Sequence, residues 1–120
     1  MLSLQSLQQS EYTIQLSNFE NKITIKGELR IHTVNEYDEL INVIVTGATK
    51  SNNDFVLDLS NLSFINSMGI AALGMTFINL KHHEKKIKIL ASKHIHWQYT
   101  SLNDLKQIKA DIDIEYVIQH

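Results

Sequence analysis

The stretch FINSMGIAAL, residues 64–73, sets a single serine, Ser67, between the apolar end of one segment and the apolar start of the next. Three chemistries are open to a serine so placed: attack on an acyl carbon, contact with or acceptance of a phosphate, and capping of a helix. Acyl attack requires a G-x-S-x-G elbow with a histidine and an acid, but Ile65 stands at the first glycine position and the sequence fixes no histidine beside it. A phosphate-cradling loop fits the spacing of Gly69 and Gly74. Met75, however, occupies the place of its lysine, and both glycines fall within an expected helix, where a small-residue packing face accounts for them. What remains is a cap by Asn66 or Ser67, contributing about 1 kcal/mol, or a hydroxyl held in the field of a helix start. There, unpaired N–H groups and about half a positive charge favour anions.

Other reactive side chains read as structural. His82 and His83 are adjacent, so on a helix they point about 100° apart, and His94 with His96 lacks the i, i+4 spacing of a helical zinc pair. KHHEKKIK, residues 81–88, is a solvated helix end with cations where the helix dipole favours them. Asp58 is expected in structural hydrogen bonds, and Trp97 and Tyr99 in core or groove filling. No catalytic residue, metal or cofactor is expected.

The elements that must position Ser67 belong to one folding unit, because 120 residues support one core and not two. The composition, 43% hydrophobic and 20% charged, is that of a globular chain. A net charge of −2 supplies no general basic field, which argues against nucleic acid and for protein-directed binding. The absence of cysteine excludes disulfides, thiolate metal sites and cysteine nucleophiles. The start lacks the basic and apolar regions of a signal peptide, and no apolar run approaches the roughly 18 residues of a membrane span. The expected location is the cytoplasm, without membrane insertion.

Residues 1–10, rich in Gln and Ser, are expected to be a loosely ordered lead-in to a single domain over 11–120. Tyr12, Ile14 and Leu16 alternate with polar residues, and Ile23, Ile25 and Leu29 do so again after SNFEN, which predicts a hairpin. Val34, Tyr37, Ile41, Ile44, Val45 and Ala48 share one helical side, and Thr33 with Glu36 has capping-box spacing. FVLDL suits a central strand covered on both faces by helices. Ile70, Leu73, Gly74, Phe77 and Ile78 then mark the core stripe of a helix from about Ser67 to Lys81. KKIKILA reads as another strand and residues 94–103 as a weak helix. Ile112, Ile114, Tyr116 and Ile118 alternate as in a strand, although Asp113 could cap a short helix instead. Strands separated by helices predict an α/β fold with a largely parallel sheet.

Two motifs carry a family likeness. D-L-S-x-L-x-F-I-N-S-x-G-I-x-A-L, from Asp58 to Leu73, resembles the signature of STAS domains, and GELRIHTVNE, residues 27–36, resembles their G-E-L-D-x-x-T entry into the first helix. Both stand in the family's order, and the likeness covers the chain from about Tyr12 onward. It implies a mixed, mainly parallel sheet of four to five strands flanked by helices, in the order ββαβαβα. The same likeness turns the tail toward a short strand near Leu105 to Ile108 followed by a short helix.

For function, the resemblance implies a non-enzymatic anti-sigma factor antagonist, with Ser67 at the phosphoacceptor position. Its partners would be an anti-sigma factor that is also a serine kinase, and a serine phosphatase that reverses the modification. The partner surface would comprise Arg30, Ile31, His32, Thr33, Asn66, Met68 and Gly69. Weak self-association is included in the reading. A constitutive STAS scaffold in a signalling or transporter assembly, with Ser67 unmodified, is the alternative. Asn66 replaces the acid that usually precedes the serine, Met68 replaces a second serine, and Arg30 replaces the acid after G-E-L. Arg30 is therefore expected to approach the Ser67 turn and pair with a phosphate there.

Overall fold

A computed structural model of the chain describes residues 6–8, 12–17, 21–51, 54–83, 86–109 and 111–117. The hairpin is present as β2 (Tyr12–Ser17) and β3 (Lys22–Leu29), paired antiparallel with Ile14 opposite Ile25. A further strand, β1 (Ser6–Gln8), pairs with β2 inside the segment expected to be a loose lead-in. The rest of that lead-in lies outside the described residues.

Helix α1 (Val34–Lys50) begins where the capping box places it: Thr33 Oγ1 accepts from the Glu36 N–H at 3.1 Å. Its core side is Leu40, Ile41, Val43, Ile44 and Ala48, whereas Val34, expected on the stripe, sits in solvent at the helix start. Strand β4 (Phe55–Asp58) is followed after a tight turn by β5 (Leu62–Ile65), then α2 (Ser67–Asn79), β6 (Ile87–Ser92), α3 (His96–Ile108) and β7 (Asp113–Val117). The sheet runs β1-β2-β3-β4-β6-β7, and β5 pairs with the second half of β3.

The mixed α/β fold with its N-terminal hairpin is as expected, and among the described residues it holds seven strands where four to five were expected. The motif S-x-L-x-F-I supplies one of them, because its short run carries too few residues to show a period. The tail also differs from the expectation drawn from the family. Leu105–Ile108 closes α3, and the alternating Ile114 and Tyr116 lie in a parallel edge strand on β6. The period-two pattern was the better guide there, since pairing with β6 turns Ile114 and Tyr116 toward the helices.

Burial alternates along every inner strand. Ile23, Ile25, Phe55, Leu57, Ile87, Ile89 and Ala91 are buried, while Thr24, Val56, Asp58, Lys88 and Leu90 between them are partly solvated. Register puts each set on one face. The helices therefore cover one face only, and β4 is central but not covered on both sides. Its open face carries ion pairs, Lys22–Asp58 at 3.7 Å and Lys88–Glu115 at 3.3 Å, which suit a solvated surface.

Candidate functional site

Strands β3, β4, β5 and β6 run parallel, so α1, α2 and α3, which follow β3, β5 and β6, all begin at one end of the sheet. In open parallel sheets this carboxyl end of the strands is where sites form. The loop after β3 and the turn after β5 lie side by side there, and one side chain joins them.

That side chain is Asn66. Its Oδ1 accepts from the Gly69 N–H at 2.9 Å, which makes it the N-cap of α2. The same Oδ1 accepts from the Ile31 N–H at 3.1 Å, and its Nδ2 donates to the Ile31 carbonyl at 3.0 Å. The Asn66 N–H donates to the Leu29 carbonyl at 3.0 Å. An aspartate could accept the first two bonds but would set a carboxylate oxygen against the Ile31 carbonyl, with no hydrogen to offer. The amide meets all three partners at once.

Because Asn66 supplies the cap, Ser67 is left as the first residue of α2, exposed and free of that duty. Gly69 explains the glycine of S-x-G: a Cβ there would lie 2.6 Å from Ile65 Cγ1 and 3.2 Å from Asn66 Oδ1, so any side chain would have to displace Ile65 and press on the cap. Gly27, the glycine of G-E-L, adopts φ 101° where the β3–β5 register shifts, a conformation that favours glycine. The D-L-S element is a turn lock: Asp58 Oδ1 accepts from the Ser60 N–H at 3.0 Å and from its hydroxyl at 2.6 Å. This is the structural role expected of Asp58.

The expected surface residues divide by exposure. His32, Thr33 and Ser67 are exposed, Arg30, Asn66 and Met68 are half-buried, and Ile31 and Gly69 are buried. Ile31 and Gly69 shape the turn from beneath, and Met68 packs partly on the core. Arg30 pairs with Glu28 through Nη1, and its guanidinium carbon lies 4.5 Å from the centre of the Phe64 ring. Glu36 carries several roles at this end. It accepts from the His32 N–H at 3.3 Å and the Thr33 hydroxyl at 3.2 Å, and its charge acts on the Tyr12 hydroxyl. Burial, then the Glu36 and Glu39 charges, push the Tyr12 hydroxyl up to about 12.

The core side of α2 is offset from the expected stripe. Gly69, Ala72, Leu73, Thr76 and Phe77 are buried, while Ile70 (38%), Met75 (38%) and Ile78 (49%) are exposed. A helix apolar all round gives periodicity little to choose by, and small residues decide. Thr76 turns inward because its hydroxyl donates to the Ala72 carbonyl at 2.8 Å. Between Ser67 and Asn79 the helix has no charged residue, so its solvent face is apolar and neutral.

Gln98, which the sequence did not single out, and Trp97 together support the β4–β5 turn. Buried Gln98 donates to the Leu59 carbonyl at 2.6 Å and the Leu62 carbonyl at 3.0 Å, and accepts from the Ser92 N–H at 2.7 Å. Trp97 Nε1 donates to the Leu62 carbonyl at 2.7 Å, in keeping with its expected groove-filling role. Tyr99 remains over half exposed and meets the Tyr116 ring at 5.5 Å.

At the other end of the sheet, where the helices finish, Lys109 is buried. Its Nζ donates to the His83 carbonyl at 3.0 Å and pairs with Asp111 at 2.9 Å. An open cleft of about 490 Å³ lies over it, between the ends of α2 and α3. Among the described residues, no group of three His, Cys, Asp or Glu side chains could hold a metal, and no helix is long and apolar enough to cross a membrane.

Known proteins share this plan. The anti-sigma-B factor antagonist of Staphylococcus aureus (strain COL) is 27% identical over 97 residues, which span 78% of this chain and 87% of that protein. Pseudomonas aeruginosa SiaC, in the crystal structure of the diguanylate cyclase SiaD with its activator SiaC, matches with a TM-score of 0.69 at 12% identity. The match covers 93% of this chain and 98% of that one. Apo-SiaC from the same organism gives a TM-score of 0.61 at 13% identity, over 92% and 98% of the two chains. The family model described as the STAS domain matches residues 14–95, which contain most of the hairpin, the Asn66 clamp and Ser67, and the chain belongs to that family.

Proposed function

We propose that the protein is a non-enzymatic regulatory module that binds a protein partner through the Ser67 end of the fold, and that phosphorylation of Ser67 switches the binding. The observation that carries this reading is the position of Ser67, an exposed hydroxyl at the head of a helix with a neutral, apolar solvent face. An uncharged face with Ile70, Met75 and Ile78 in solvent suits a dry protein contact. A phosphate adds about 1.5 to 2 negative charges at its edge. The α2 start tolerates that charge, so the fold survives while the contact surface goes from neutral to negative.

The likeness to an anti-sigma-B factor antagonist supports a partner of the anti-sigma factor class, with serine kinase activity, and a phosphatase that restores the hydroxyl. A SiaC-like fold in complex with a cyclase supports protein binding more broadly. Arg30, His32, Thr33 and Asn66 would line the contact beside α2, with Met68 at its edge.

The test is partner binding by Ser67→Ala and Ser67→Glu. Ala should bind as the native protein does, and Glu at least about tenfold more weakly, which corresponds to about 1.4 kcal/mol. Equal binding by the two would leave a constitutive scaffold as the function.

A further inference from the structure

Resting on the reading that Ser67 is phosphorylated, we propose that Arg30 is the residue that binds the phosphate, and that Glu28 and Phe64 hold it in reserve until the phosphate is present. The turn bearing Arg30 is tied to the residue before Ser67 on both sides. The Leu29 carbonyl accepts from the Asn66 N–H, and the N–H and carbonyl of Ile31 both bond the Asn66 side chain. Leu29 and Ile31 are buried, so the side chain between them turns toward solvent, on the side of β3 and β5 that carries Glu28 and Phe64, while its backbone stays tied to the turn before Ser67.

In the unmodified protein the guanidinium is occupied. It pairs with Glu28 and lies over Phe64, two residues that are themselves register partners across β3 and β5. Neither contact is deep, with Glu28 about half exposed and Phe64 40% exposed. Exposed ion pairs and exposed cation–π contacts belong to the weak class. A phosphoserine offers about twice the charge of a carboxylate and three acceptor oxygens, which a guanidinium fork can meet with two parallel bonds. Helix α2 carries no cation of its own from Ser67 to Asn79, so beyond the helix dipole any side-chain counter-charge must come from a neighbouring element. The Asn66 clamp makes the Arg30 turn that neighbour.

The exchange changes more than one point of the surface. When the guanidinium leaves Phe64 the ring is uncovered and the Glu28 carboxylate is released, on the strands that lead into the Ser67 turn. The other titratable groups of the adjoining loop and first turn of α1 are His32, Glu36 and Tyr37.

The test uses the full chain with phosphoserine placed at position 67 during translation, so no kinase is needed, and follows the phosphate by phosphorus NMR as a function of pH. The second phosphate pKa should lie below its ordinary value of about 6. Arg30→Ala should raise it by about one unit, and Arg30→Lys should restore part of the difference. Glu28→Gln should lower it in the native background and change it much less beside Arg30→Ala, the signature of competition for one guanidinium. An unchanged phosphate titration in Arg30→Ala would overturn the assignment. That outcome is separate from the failure of the switch itself, which would appear as equal partner affinity of the phosphorylated and unmodified proteins.

Discussion

The two ends of the sheet treat the helix dipoles in opposite ways. Where the helices finish, cations collect: Lys50 in the last turn of α1, Lys81 just beyond α2, Lys106 in the last turn of α3, and buried Lys109 between them. That end is electrostatically closed. Where the helices begin, the partners are mostly neutral. Thr33 and Asn66 supply the caps, Glu36 is the acid in the first turn of α1, and α2 and α3 have none. The field at the start of α2 is therefore left uncompensated, and charge is settled at one end and still to be supplied at the other.

Removing the clamp should break the comparison most visibly. Asn66→Ala removes the cap and both Ile31 partners, an expected loss of about 2–3 kcal/mol and roughly 10 °C in Tm, measured by denaturant and thermal unfolding. Asn66→Asp should fall between Ala and the native protein; an Asp variant as stable as the native one would show that the amide hydrogen is not what closes the turn. At the far end, Lys109→Met keeps the apolar stem but strips the His83 carbonyl of its donor, for an expected loss of about 1–2 kcal/mol. Partner affinity should be unchanged, and a matching loss of binding would mean that the two ends do not act separately.

The hydroxyl of Tyr12 sharpens the picture through pH. Its folded pKa, about 12, lies above the ordinary 10, so the neutral form is the one the fold favours. Its contribution is fully present below pH 10 and lost as pH rises toward 12. Tyr12→Phe should flatten that alkaline loss in part, because Tyr116 is shifted in the same direction by burial. Equal slopes in the two proteins would remove Tyr12 from the account. The smallest effect expected is a pair of opposite sign. Ser67→Glu should stabilise the unbound protein by about 0.3–1 kcal/mol, and Asn79→Glu, at the other end of the same helix, should destabilise it by a similar amount. Chemical denaturation of both variants reads this difference.

The parts of the fold visible in the sequence were those governed by period and by caps. The hairpin, the Thr33 start of α1, the central FVLD strand and the alternating tail all follow from spacing. Helix α2 was located but rotated, since Gly69, Ala72 and Thr76 take the inner side through size and back-bonding, while Ile70 and Ile78 stay outside. The motif residues around Ser67 were legible as a set, but their division of labour was not. That Asn66 joins two turns 35 residues apart, or that Gln98 supports the β4–β5 turn, depends on contacts no local pattern records. Lys109 was hidden for the same reason, as one lysine among many whose burial is decided by where two helices end. The placement of Arg30 on Phe64 and Glu28 likewise needed the β3–β5 register.

Strand β3 is shared, its first half pairing with β4 and its second half with β5, across the shift at Gly27. This has a consequence for the order of assembly. The β2–β3 hairpin closes over a few residues and can form on the microsecond scale. The second edge of β3 must wait until α1 and the chain after it have been looped back, the slower, non-local step. The Asn66 clamp closes only after β5 has docked beyond β4, so the segment carrying Ser67 is among the last to be fixed. By the same reasoning it should be among the first to open in native-state hydrogen exchange.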